Sequence, residues 1–270
     1  MSPPLLDVHN AGLRFAASTL LSEISFSLGS GEVIGIAGSN GAGKSSLLRL
    51  ACAEYSCSSG SVSLDGTDIG SIEPRTRAKR IAVLPQSMGL QFDFTVRQVS
   101  ELGRSPHGDL GGAGSQVVDQ VLDSCELTSL AHRLYPSLSG GEKQRTQFAR
   151  VLAQLLPKAC SSDLSGQILI LDEPTSAMDV RHQERFLRLV AKLRDLGCAV
   201  LLVMHDINLL SRCSDRLLYL KHGRMLSLGP TAEQLNEQAL SELYEYPLRI
   251  RSMSDGTPPF VYPASHAPNA

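Results

Sequence analysis

Four short apolar runs, each bounded by polar or turn residues, recur along the chain: EVIGIA (32–37), RIAVLP (80–85), QILILD (167–172) and CAVLLVMHD (198–206). Their apolar residues follow one another without alternation, the pattern of strands buried on both faces of a parallel sheet. LDVHNAGLRF and ISFSL near the start, and SVSLDG at 61–66, alternate more and predict an antiparallel flap beside that core. Helical periods lie between the runs, clearest in QERFLRLVAKLRDLG (183–197). Strands alternating with helices predict an α/β fold with a parallel sheet.

The middle, 87–158, has no convincing strand. TVRQVSELG, SQVVDQVLDSCEL and GGEKQRTQFARVLAQLL read as helices, and the last puts Phe148, Val151, Leu152 and Leu155 on one face. This segment is expected to be an inserted helical lobe. Two loops stand out: SPHGDLGGAGS (105–115), Gly-rich and expected to be mobile, and the polar PKACSSDLSG (157–166). The tail beyond about 233 ends in TPPFVYPASHAPNA; its proline content predicts loose order.

Composition narrows the function classes. With 270 residues, 42% hydrophobic and a net charge of −2, the chain can build a sizeable core, and nothing global points to nucleic acid or anionic lipid. Six cysteines without a C-x-x-C pair suggest reduced thiols in a cytosolic protein. The start, MSPPLLDVHN, lacks a signal-peptide pattern, and apolar runs such as AVLLVM (199–204) are too short to span a bilayer. Any membrane role must come through a partner.

The candidate chemistry begins at GSNGAGKSS (38–46), which matches G-x-x-x-x-G-K-[ST] after a strand and before a helix. Backbone N–H groups of Gly38, Ser39, Asn40, Gly41, Ala42, Gly43 and the following residues would wrap phosphates, with Lys44 reaching the β/γ oxygens and the Ser45 hydroxyl on Mg²⁺; Ser46 closes the loop. ILILDEP supplies two acids at a strand end. Asp172 can hold the metal through water, and Glu173 can orient or deprotonate an attacking water.

A second anion-type turn follows far downstream. In SLSGGEKQR (137–145), Ser139 and Glu142 form a capping-box pattern, and Gly140 and Gly141 leave the helix start open to close approach. LSGG-E/Q-x-x-R, placed before the Asp-Glu strand, resembles the signature of the ABC ATPases. Kinases and small GTPases lack it, and the chain has no N-K-x-D for guanine. The resemblance implies that Ser139, Gly140, Gly141 and Glu142 contact the γ-phosphate of ATP held by a second copy, in a head-to-tail dimer. It also implies an adenine-stacking role for Phe15, where tyrosine is commoner, and a metal- and water-contacting role for Gln86 in VLPQS. Asp179 in Ser176-Ala-Met-Asp179 would communicate across the dimer, with Met178 where leucine is usual, and His205 would contact the γ-phosphate.

As a member of that family, the chain is expected to be one P-loop NTPase (RecA-like) domain with an antiparallel β flap and an inserted α-helical lobe. Residues 1–86 and 159–232 would form the nucleotide-binding core, 87–158 the helical lobe with the signature, and 233–270 a C-terminal tail. Catalysis would rest on Glu173, His205 and Gln86, and Mg²⁺ on Ser45, Gln86 and Asp172. One cassette per chain and no long coiled-coil insertion favour an importer ATPase subunit over a soluble ABC ATPase acting on DNA or ribosomes. FTVRQVSELGRSPHGD (94–109) resembles the subfamily that imports iron-siderophore, vitamin B12 and heme. VLPQSMGLQFDFTV, the segment after RVLAQLLP and the DGTPPFVYP tail most resemble the ATPases of hemin importers. The expected cargo is heme, with iron-siderophore or vitamin B12 as alternatives. Expected partners are two transmembrane permease subunits and, through the complex, a periplasmic heme-binding protein, on the cytoplasmic side of a bacterial inner membrane; no nucleic acid is expected. His107, His132 and His182 have no ligand spacing and are read as ordinary surface or lobe residues.

Overall fold

The computed structural model describes residues 4–15, 18–86, 93–252 and 258–264. Part of the VLPQSMGLQFDFTV stretch and the ends of the tail sequence lie outside the described residues. The chain runs β1 (Leu6–Phe15), β2 (Ser18–Leu28), β3 (Val33–Ala37), α1 (Lys44–Ala51), β4 (Ser59–Leu64), β5 (Thr67–Asp68), α2 (Pro74–Ala78), β6 (Ile81–Leu84), α3 (Val96–Glu101), α4 (Ala113–Ser124), α5 (Gly140–Leu155), β7 (Ile168–Asp172), α6 (Val180–Asp195), β8 (Ala199–Val203), α7 (Ile207–Cys213), β9 (Arg216–Lys221), β10 (Arg224–Pro230), α8 (Thr231–Gln234), α9 (Glu237–Tyr244), β11 (Leu248–Arg251) and β12 (Phe260–Pro263).

Two sheets form the core. One has the order β10-β9-β3-β8-β7-β6, the other β2-β1-β4-β5. In the first, β3, β6, β7, β8 and β9 pair in parallel and β10 is an antiparallel edge. The second is antiparallel throughout, the expected flap. The unbroken apolar runs have a direct cause in the packing. Ile168 and Ile170 of β7 point into a core shared with the flap and α1, whereas Leu169 and Leu171 point into a core shared with α4, α5 and α6. With both faces covered, neither set can be polar.

The middle segment is helical, and its one strand-like feature among the described residues is an isolated bridge between Thr95 and Leu134. Phe148, Val151, Leu152 and Leu155 of α5 are all buried, as the 3.6-residue period requires.

Three features correct the sequence reading. The β9–β10 hairpin was not anticipated, although LLYL (217–220) is an apolar run ending at His222-Gly223. The first half of the 105–115 loop, as far as Asp109, is anchored to α5. Arg104, 1% exposed, donates from Nη1 to the carbonyls of Ala153 and Leu156, both at 2.6 Å, and pairs with Asp109 at 2.7 Å. His107 Nε2 meets the Gln154 carbonyl at 2.8 Å. Together they satisfy carbonyls that the C-terminus of α5 would leave orphaned. The tail is not loose in its described part: α9 buries Leu240 and Leu243, and β12 pairs with β11. Asn208 of α7 brackets Val261 by donating to its carbonyl and accepting from its N–H.

Candidate functional site

The phosphate loop joins β3 to α1. Gly43 caps α1 at φ 103°, a left-handed backbone that favours glycine, and it brings no side-chain cap. The first turn of α1 also carries no acid. Its N–H groups and positive dipole end are therefore left for an anion. The unanticipated hairpin supports the loop from behind: Gly223 N–H donates to the Ala42 carbonyl at 2.9 Å, and Ser22 N–H to the Gly223 carbonyl at 2.8 Å. Lys44 is buried, with Nζ donating to the carbonyls of Gly38 at 2.8 Å and Ser39 at 2.9 Å. Burial holds its ammonium below the usual lysine range, and the charges of Glu173 and Asp172 oppose that shift.

Asp172 and Glu173 leave the end of β7 with different environments. Asp172 is 7% exposed and its Oδ1 is buried with no hydrogen-bond partner among the described residues. Burial pushes its carboxyl up, partly offset by the Ser45 hydroxyl. An orphaned buried carboxylate oxygen beside a hydroxyl is a donor set that suits a hard divalent cation such as Mg²⁺, which takes one or two carboxylates together with phosphate oxygens. Glu173 adopts φ 53°. Its carboxylate accepts from Gln86 Nε2 at 2.8 Å, and its other oxygen lies 2.5 Å from His205 Nε2. Gln86 thus places its amide nitrogen on Glu173.

A cleft of about 710 Å³ unites Asn40, Gly41, Gly43, Lys44, Ser45 and Ser46 with Gln86, Glu173 and His205. Thr19, Leu20, His222 and Gly223 also line it, and the sequence reading had not singled them out. Residues far apart in the chain thus converge on one cleft bearing an ammonium, a carboxylate and an imidazole.

The other site candidates sit elsewhere on the same chain. Ser139 N-caps α5 in a reciprocal box: its Oγ accepts from Glu142 N–H at 3.3 Å, and Glu142 Oε2 accepts from Ser139 N–H at 2.7 Å. That N–H holds the Glu142 carboxyl below the usual carboxylate range. Gly140 and Gly141 pack against Ala177, where a Cβ on Gly141 would meet the Ala177 carbonyl oxygen at 3.0 Å. A side chain at Gly141 would therefore crowd a neighbour in the same chain, in addition to any ligand. Asp179 N-caps α6, accepting from His182 N–H at 2.9 Å and facing His182 Nδ1 at 2.7 Å. Phe15 is 52% exposed and meets Tyr55 edge-on at 5.2 Å. Phe15, Asp179 and the 139–142 turn are not among the residues lining the Lys44 cleft.

The sequence profile of the ABC transporter family matches residues 21–176. The hemin import ATP-binding protein HmuV of Pseudomonas entomophila (strain L48) is 43% identical over 240 residues, covering 89% of this chain and 92% of that protein. Its counterpart in Myxococcus xanthus (strain DK1622) is 40% identical over 265 residues, covering 97% and 98%. Among solved structures, a metal-chelate type ABC transporter in an inward-facing conformation superposes with a TM-score of 0.77 at 26% identity, covering 97% of this chain and 98% of that one. A dimeric bacterial ABC transporter cassette superposes with a TM-score of 0.72 at 25% identity, covering 84% and 98%. With its phosphate loop, its Asp-Glu strand end and its capped signature helix set in this fold, the chain belongs to the ABC transporter family and is one of its ATPases.

Proposed function

We propose that the chain is the energy-coupling subunit of a bacterial heme importer, acting as a head-to-tail pair of copies on two transmembrane permease subunits. The observation that carries the chemistry is Glu173, held between Gln86 and His205 in the same cleft as Lys44. The heme assignment rests on similarity to two hemin import proteins over 89% and 97% of the chain. The metal-chelate type transporter points to the same chemical class of cargo. Among the described residues no helix is long and apolar enough to cross a membrane. As the ATPase subunit of such an importer, the chain would bind its permease peripherally, on the cytoplasmic face of the inner membrane.

In this reading Phe15 stacks on adenine, the loop from Gly38 to Ser46 donates N–H groups to the phosphates, and Lys44 neutralises the β/γ oxygens. Ser45, Asp172 and the Gln86 oxygen would hold Mg²⁺, which supplies counter-charge to the phosphate oxygens as charge develops on them. Ser139, Gly140, Gly141 and Glu142 of the second copy close over the γ-phosphate, using the positive end of α5. Glu173 takes a proton from the attacking water while Gln86 and His205 orient it. The new O–P bond forms as the bond to the β–γ bridging oxygen breaks, and ADP and phosphate leave. Asp179 works across the interface of the two copies. The surface beside Gln86 would receive the permease, and a periplasmic heme-binding protein would signal through it by shifting the pair toward its closed state. No step needs a nucleic acid.

Growth on hemin as sole iron source tests the cargo. A strain lacking the chain should fail on hemin and grow on a ferric siderophore. Growth on hemin with failure on the siderophore would overturn the heme assignment and leave the ATPase chemistry standing.

A further inference from the structure

Gln144 lies one turn into α5, behind the signature, and its carboxamide grips the segment that follows β7 from both sides. Its Nε2 donates to the Glu173 carbonyl at 3.1 Å and to Ser176 Oγ at 3.3 Å. Its Oε1 accepts from Ala177 N–H at 3.0 Å. Of the common side chains, only a primary amide of this length offers two donors and an acceptor in one planar group. The residue it grips is unusual. Glu173 has φ 53°, a backbone region that a non-glycine residue occupies only when its surroundings over-determine it. One determinant is the Glu173 N–H, which donates to Val203 of β8 at 3.0 Å. Another is the Glu173 carbonyl, which accepts from Gln144 Nε2 at 3.1 Å and from Ser176 N–H at 3.4 Å. The Ala177 carbonyl also lies over Gly141, where a Cβ would meet it at 3.0 Å, so the same two segments run close together.

We propose that Gln144 is a positioning residue that couples the two half-sites of one chain. It ties the signature turn, which serves the ATP held by the second copy, to Glu173, which serves the chain's own ATP. Closure of the partner's γ-phosphate on residues 139–142 moves α5, and the carboxamide carries that movement to the backbone that aims the Glu173 carboxylate. The inference rests on the reading of Glu173 as the water-activating base and of the signature as a trans contact.

The test compares full-length wild type, Gln144→Ala, Gln144→Glu and Glu173→Gln in steady-state ATP hydrolysis and in equilibrium ATP binding. Gln144→Glu keeps the shape and the acceptor for Ala177 N–H and loses both donors. A carboxylate displaced by about an ångström is expected to lower kcat ten- to a hundredfold. Nucleotide affinity should stay within twofold in both Gln144 variants, and the Hill coefficient for ATP should fall toward one. A merely structural role would lower thermal stability without moving kcat or the Hill coefficient, and that result overturns the proposal. A wild-type Hill coefficient of one overturns it as well. Full hydrolysis by Glu173→Gln would show instead that the base reading has failed, and the inference falls with it.

Discussion

Gln86, just past the end of β6, and Glu173, just past the end of β7, are neighbours because those strands pair in parallel register, and the Gln86 amide donates to the Glu173 carboxylate at 2.8 Å. This bond joins the end of β6 to the carboxylate at the end of β7. Removing that carboxylate while keeping its shape isolates its role. Glu173→Gln should lower hydrolysis roughly 10²- to 10⁴-fold, the usual contribution of a positioned base. ATP binding should persist, and the variant should accumulate as a closed dimer in size-exclusion chromatography with ATP. Loss of ATP binding would point to a structural role instead.

The trans assignment of the signature has its own test. Lys44→Ala should abolish ATP binding with the fold intact, and Ser139→Arg should abolish hydrolysis while single chains still bind ATP. Neither homodimer has an intact composite site. A dimer with one chain of each has one, so mixing the two inactive proteins should restore hydrolysis. Mixtures that stay inactive would contradict the head-to-tail pairing.

Arg104 gives a prediction about stability. It is buried and satisfies the Ala153 and Leu156 carbonyls as well as pairing with Asp109. Arg104→Met leaves those acceptors unpaired, and the expected destabilisation is about 2–4 kcal/mol. Lysine cannot reproduce the planar fork and should rescue little. Urea unfolding midpoints measure both. A change under about 0.5 kcal/mol, the ordinary surface range, would contradict the capping role.

Glu142 makes stability depend on pH. Its carboxyl is held below the usual carboxylate range, chiefly by the Ser139 N–H, so the folded state binds that proton more weakly than the unfolded chain. The stabilisation is present above the unfolded carboxyl's range and is lost as pH falls through the depressed folded value. Glu142→Gln retains a capping acceptor and does not titrate. Wild type should therefore melt above Glu142→Gln near neutral pH, and the gap should close in acid. A gap that is constant with pH would contradict the assignment.

The sheet and the phosphate loop were readable because their signals are local. Lys44 and its glycines lie in one short stretch, Asp172 and Glu173 end one apolar run, and Ser139 and Glu142 cap within a single turn. What escaped depends on partners far along the chain. Arg104 reaches carbonyls about fifty residues away, so the start of a loop that looks mobile is anchored to α5. Val261 is bracketed by Asn208, and proline content hides that anchor. The β9–β10 hairpin carried a usable signal in LLYL before His222-Gly223. Its support of the phosphate loop, through Gly223 and Ala42, could not be inferred without the tertiary pairing. Gln144 was visible as part of the signature, but its grip on Glu173 and Ala177 appears only when α5 meets the end of β7.

The most direct measurement is ATPase activity of the chain assembled with its permease in lipid vesicles, with the periplasmic binding protein added in three forms: heme-loaded, empty, and replaced by a siderophore-loaded equivalent. Stimulation above the basal rate by the heme-loaded protein alone, abolished in Glu173→Gln, is the expected result. Stimulation by the siderophore-loaded protein with no response to heme would contradict it.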